Sequence, residues 1–110
     1  MELKVLENEN DWKEVKEKQE TFFLFKNSTT CPISDEAFKA YETFANNHAN
    51  VPTYYLNVQE ARPLSNAIAE YYSVKHQSPQ VLLIVNDRAV WHDSHFNITT
   101  SALSDAVSSQ

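Results

Sequence analysis

The 110-residue chain carries one cysteine, and the residues around it read Ser28-Thr29-Thr30-Cys31-Pro32-Ile33-Ser34. A proline directly after a cysteine suits the first turn of a helix, because its missing N–H has no partner to lose there. Cys31 is therefore expected just ahead of a helix. At that point the unbonded N–H groups of Ile33 and Ser34 and the positive end of the helix dipole favour thiolate over thiol. Thiolate is the attacking form in disulfide exchange, so the placement predicts a nucleophilic sulfur with Thr30, Pro32, Ile33 and Ser34 as its support. The other role of a lone cysteine is an inert apolar core residue, and the polar flanks argue against it. Three residues on, where a dithiol would carry its resolving sulfur, stands Ser34. A hydroxyl closes no disulfide; it is left to hydrogen-bond the sulfur or to cap the helix. A mixed disulfide on Cys31 must then be resolved by a thiol from outside the chain.

The elements that position this cysteine follow from periodicity. Leu3 to Leu6 fits a short edge strand, and Asp11 with Glu14 resembles a capping pair opening a charged helix to about Gln19, with Trp12 and Val15 inward. Thr21 to Phe25 is apolar without alternation, as in a strand covered on both faces, and ends in polar Lys26 to Thr30. From Pro32 to His48, Ile33, Ala37, Tyr41 and Phe44 recur at helical spacing. Thr53 to Val58 is a second strand, and Pro63 opens a helix whose Leu64, Ile68 and Tyr71 share one stripe. Val81 to Val85, Asn86-Asp87 and Ala89 to His92 read as a hairpin, with Asn supplying the positive φ of its turn. Thr99 or Thr100 caps a last helix carrying Ala102, Leu103, Ala106 and Val107. The order βαβαβαββα belongs to the α/β class: a central mixed β-sheet flanked by helices on both faces, in one domain over residues 1–110.

That order gathers four loops on one rim, since the strands beginning at Thr21 and Thr53 end where the Val81 strand begins and the Ala89 strand finishes. The loops are residues 26–31, 59–62, 76–79 and 92–97. Crevices beyond strand ends are the usual binding places of such sheets. Arg62, Lys75 and His76 lie at or near that rim as candidate ligand contacts; the competing reading is solvated surface charge, worth only about 0 to 1 kcal/mol per ion pair. His92 and His95 stand three residues apart in the pattern H-x-x-H and with Cys31 would make three zinc ligands. A strand running into a loop does not bring such a pair together as a helix does, so no metal is expected, and His92 and His95 are instead candidate ligand contacts that hydrogen-bond around the site or, with one imidazole protonated, support the thiolate. A Cys–His hydrolase would need a base oriented by a third group and an oxyanion hole, and no residue pattern fixes either.

Composition removes further classes. With 9 Lys plus Arg against 15 Asp plus Glu the net charge is −6, which argues against a surface that tracks nucleic-acid phosphates. The chain has no glycine, so phosphate-cradling loops and nucleophile elbows, which need close backbone approach, are excluded. No apolar segment is long enough to cross a bilayer, and the first ten residues have neither the charge nor the apolar stretch of a secretory signal; a cytoplasmic location is expected.

Strand, Thr30-Cys31-Pro32-Ile33-Ser34, helix, and later Ser78-Pro79 ahead of an apolar strand resemble the thioredoxin-like fold. More narrowly, the Ser28 to Ser34 segment, Gln59-Glu-Ala-Arg-Pro-Leu-Ser-Asn66, Lys75-His-Gln-Ser-Pro-Gln80 and Trp91 to Thr99 closely resemble the monothiol bacilliredoxins of the bacillithiol system, over essentially the whole chain. The resemblance implies removal of bacillithiol from S-bacillithiolated cytosolic proteins: Cys31 attacks the mixed disulfide and is regenerated by a second thiol. It implies no bound cofactor, bacillithiol as the thiol co-substrate with malate carboxylates that cations such as Arg62, Lys75 or His76 could pair with, and a cis bond before Pro79 that turns the backbone of Ser78 toward an extended substrate. The rival from another class is a thioredoxin-like binding or redox-sensing module without turnover.

Overall fold

The computed structural model describes residues 3–48 and 50–110. The order is the expected one: β1 (Lys4–Val5), α1 (Glu9–Lys18), β2 (Thr21–Asn27), α2 (Pro32–Asn47), β3 (Thr53–Asn57), α3 (Arg62–Tyr72), β4 (Gln80–Val85), β5 (Arg88–Ser94), a 3₁₀ turn at His95–Asn97, and α4 (Thr100–Ser108). The strands form one sheet in the order β1-β3-β2-β4-β5. β2 pairs in parallel with β3 and antiparallel with β4, which pairs antiparallel with β5. Alternate residues of β2 feed two cores. Phe22 and Leu24 pack with Trp12, Leu64, Ile68 and Leu82 under α1 and α3, while Phe23 and Phe25 pack with Tyr41, Phe44, Leu83 and Leu103 under α2 and α4. A strand buried on both faces explains why its sequence does not alternate.

Several boundaries differ from the sequence reading, each for a local reason. Helix α1 starts three residues early because Asn8, not Asp11, is its cap: the Asn8 side chain accepts from the Asp11 N–H at 2.9 Å, and the Asp11 carboxylate accepts from the Glu7 N–H at 2.9 Å. On α3 the inward residue is Tyr72; Tyr71 is 48% exposed, lying edge-on to Trp12 with the Lys16 ammonium 4.1 Å from its ring. Trp12 Nε1 donates to Tyr72 Oη at 3.2 Å, which selects that rotation of the helix. At the hairpin both Asn86 (φ 50°) and Asp87 (φ 66°) are left-handed, and Val90 is an extra residue that shifts the β4–β5 register between Leu83 and Ile84. Thr99 is the cap of α4, accepting from Ala102.

The largest departure is Lys26. Rather than ending the strand it lies inside it, paired with Leu56 and Gln80 and only 1% exposed. Its ammonium donates to the Ser65 carbonyl of α3 at 3.0 Å, and burial lowers its pKa from 10.5 to about 8. That shift corresponds to about 3 kcal/mol against folding wherever the unfolded lysine is charged and the folded one is held charged. Below about pH 8 both states carry the proton and the penalty is complete; it fades as pH rises from about 8 to 10.5, where the unfolded state alone binds it. Lys26→Met is accordingly expected to be more stable than the parent at pH 7 by about 1 to 2 kcal/mol after loss of its hydrogen bonds. Urea unfolding at pH 7, 9 and 10.5 checks this; the difference between the two proteins must shrink as pH increases.

Candidate active site

The rim carrying Cys31 is fastened from below by the end of β2. Asn27 Nδ2 donates to Asn57 Oδ1 at 2.9 Å, and the Val58 N–H donates to the Asn27 carbonyl at 2.8 Å. Beyond these bonds, one side chain organises the segment leading to the cysteine. Gln59 Oε1 accepts from the Thr29 N–H (3.1 Å) and hydroxyl (3.3 Å), while its Nε2 donates to the hydroxyls of Ser28 (2.9 Å) and Thr30 (3.2 Å). Three consecutive residues are thus held by one amide from the β3–α3 turn. Cys31 follows in extended backbone (φ −112°, ψ 121°) as the N-cap residue of α2, and its carbonyl accepts from the N–H groups of Ser34 (3.0 Å) and Asp35 (3.3 Å), so the Ser34 N–H is not, as the sequence suggested, an unbonded donor for the sulfur. Its thiol is half-buried and free.

Each neighbour named from the sequence has a definite place. Pro32 occupies the first turn and is exposed, and Ile33 is half-buried. Thr30 is turned to Gln59. Ser34 is 0% exposed, and its Oγ accepts from the Ser28 N–H at 3.2 Å; it closes the loop six residues back instead of capping α2.

Facing this loop across the sheet end is the entry to β4. Gln80 pairs with Lys26, so Ser78 and Pro79 lie at the end of the sheet where β2 terminates, and the bond between them is cis. The Pro79 carbonyl accepts from the His95 N–H at 3.0 Å. Among the described residues the Ser78 N–H and C=O have no backbone partner, and its buried Oγ has none at all. Gln80, itself buried, ties the approach: its Nε2 donates to the Lys75 carbonyl at 2.9 Å and its Oε1 accepts from the Gln77 N–H at 3.4 Å.

His76 in that loop reaches inward, with Nδ1 3.3 Å from Lys26 Nζ and 3.3 Å from Ser65 Oγ. An ammonium only donates, so the hydrogen-bond network assigns Nδ1 as acceptor and the ring proton to Nε2. Burial, then the Lys26 and Arg62 charges, hold this imidazole below its ordinary pKa and so in the neutral form. Arg62 is the first residue of α3, and Lys75 is exposed. His92 and His95 separate: His92 pairs with Leu82 of the α1/α3 core, whereas His95 borders Ile33, Glu36 and the 78% exposed Phe96 on the α2 side. No three potential ligating side chains converge on a metal position among the described residues.

Gln59, Gln80 and Lys26 were not legible as site residues, because their partners lie 29 or more residues away or, for Gln80, in an irregular loop. The Gln59 role is testable directly. Gln59→Leu removes all four bonds to residues 28–30. The expected result is faster amide exchange at Thr29, by about tenfold, with about 1 kcal/mol lost from global stability.

The fold recurs widely among solved structures. A protein with a thioredoxin fold, described provisionally as an oxidoreductase, superposes with a TM-score of 0.90 at 36% identity, over 96% of this chain and 93% of that one. Mitochondrial thioredoxin 3 of Saccharomyces cerevisiae in its oxidised form matches at TM-score 0.76 and 13% identity, covering 98% and 95% of the two chains. The reduced thioredoxin pre-protein of Schistosoma mansoni matches at 0.79 and 14%, covering 99% and 98%. At such identities the thioredoxins speak for the fold alone. Residues 4–103 match the family model for the monothiol bacilliredoxin BrxC. With its one thiol at the head of α2 and this match along nearly its whole length, the chain belongs to the monothiol bacilliredoxin family of thioredoxin-fold thiol–disulfide oxidoreductases.

Proposed function

We propose that the protein removes bacillithiol from S-bacillithiolated cytosolic proteins, with Cys31 as nucleophile. The observation that carries this reading is the half-buried lone cysteine at the N-terminus of α2, with a hydroxyl already committed to Ser28 in place of a second sulfur. The Cys31 thiolate attacks the bacillithiol sulfur of the mixed disulfide. One S–S bond forms as one breaks, and the protein sulfur departs as a thiolate that takes a proton from solvent. A second low-molecular-weight thiolate then attacks the bacillithiol sulfur held on Cys31, leaving a small-molecule disulfide and the Cys31 thiolate. Two electrons enter from that outside thiol and its partner, and no metal or bound cofactor takes part. The unpartnered Ser78 N–H and C=O support docking of an extended substrate segment, as a strand is added to a sheet edge.

Mass spectrometry of an S-bacillithiolated protein incubated with excess bacillithiol tests the reading. The wild type is expected to clear the adduct and Cys31→Ser to leave it intact; an adduct unchanged by the wild type overturns the proposal. Ser34→Ala separates support from chemistry. Loss of the buried acceptor for the Ser28 N–H is expected to lower stability by about 1 to 2 kcal/mol while exchange proceeds, as measured by urea unfolding beside the same assay.

A further inference from the structure

Lys26 presents an electrostatic problem that the thiol chemistry does not use. Its ammonium is enclosed, yet its two contacts are neutral: the Ser65 carbonyl and His76 Nδ1. Its lowered pKa traces to burial alone, with no carboxylate offsetting it, and the charges acting on His76 are again positive, from Lys26 and Arg62. The first turn of α3 adds to this. It has no acidic residue and no side-chain cap at Ala61, so the positive end of its dipole is unanswered. Nearby in the chain, Ser78 Oγ is buried without a partner. Among the described residues no carboxylate pairs with Lys26 or Arg62, and the Glu60 carboxylate of the same loop accepts instead from Asn57 Nδ2 at 3.2 Å, so even in a protein of net charge −6 these two cations stand near the end of β2 without an acidic partner. Buried charge without a counter-ion is destabilising, and such arrangements concentrate where a ligand completes them.

We propose that the rim between the start of α3 and the loop before β4 is a carboxylate subsite, in which Arg62 and the Nε2–H of His76 bind the ligand and the buried Lys26 ammonium is the fixed charge behind them. It rests on the proposed reaction and deepens it: the carboxylates are those of the malate portion of the bacillithiol half of the mixed disulfide. A guanidinium fork matches a planar carboxylate, and a neutral imidazole adds one directed donor. Lys26 orients His76 by occupying its Nδ1, which leaves the opposite ring edge for the ligand.

The test uses one target protein carrying either bacillithiol or uncharged 2-mercaptoethanol as its mixed disulfide, together with L-malate as a free probe. Arg62→Gln and His76→Asn are expected to lower kcat/KM on the bacillithiol adduct about fivefold, through KM, and to change the mercaptoethanol adduct less than twofold. In the wild type L-malate should shift the His76 imidazole resonances saturably, and Arg62→Gln should abolish this. Equal losses on both adducts, or malate binding that survives in Arg62→Gln, overturn the subsite, as does inorganic phosphate binding with equal strength. If the wild type processes neither adduct, the exchange reading fails while the malate titration still decides whether a carboxylate is bound here.

Discussion

The central position of β2 is the constraint on which the rest depends. Because it pairs in parallel with β3 and antiparallel with β4, its C-terminal end lies beside the end of β3 and the beginning of β4. The cysteine loop, the Gln59 turn and the Ser78–Pro79 entry are then neighbours without any long excursion of the chain. Burial on both faces fixes the register, since a slip of one residue would exchange Phe23 and Phe25 with Phe22 and Leu24 between two differently shaped cores. Rigidity at the strand therefore becomes precision at the loop that follows it.

Much of this was legible in the sequence because it is written in local patterns. The unbroken apolar runs marked β2 and β4, the helical spacing of Ala37, Tyr41 and Phe44 marked α2, and Pro32 marked the junction at Cys31. What escaped is non-local. A lysine after five β-forming residues reads as the end of a strand, and only α3, arriving 39 residues later with the Ser65 carbonyl, makes its burial tolerable. Gln59 is an unremarkable polar residue until the fold sets it against residues 28–30. Tyr71 and Tyr72 are equally apolar candidates for the same stripe, and the Trp12 indole on another helix decides between them.

A chain without glycine must find left-handed backbone elsewhere, and among the described residues three of the four that take it are of the Asn, Asp and His types that tolerate it best. Asn86 and Asp87 turn the hairpin, Ser73 ends α3 at φ 57°, and His95 adopts φ 55° where β5 passes into the 3₁₀ turn. The last of these bears on the site, since the same residue's N–H holds the Pro79 carbonyl. Local backbone cost at the end of β5 is thus coupled to the fixing of the beginning of its neighbour β4.

The outer strand β5 has one more consequence. Its free side is a row of main-chain donors and acceptors onto which another copy could add, a route to sheet polymerisation. The extra residue Val90 bends this border, Arg88 and His92 stand exposed along it, and the 3₁₀ turn cuts it short. These features oppose edge-to-edge pairing of copies beside two strongly apolar central strands.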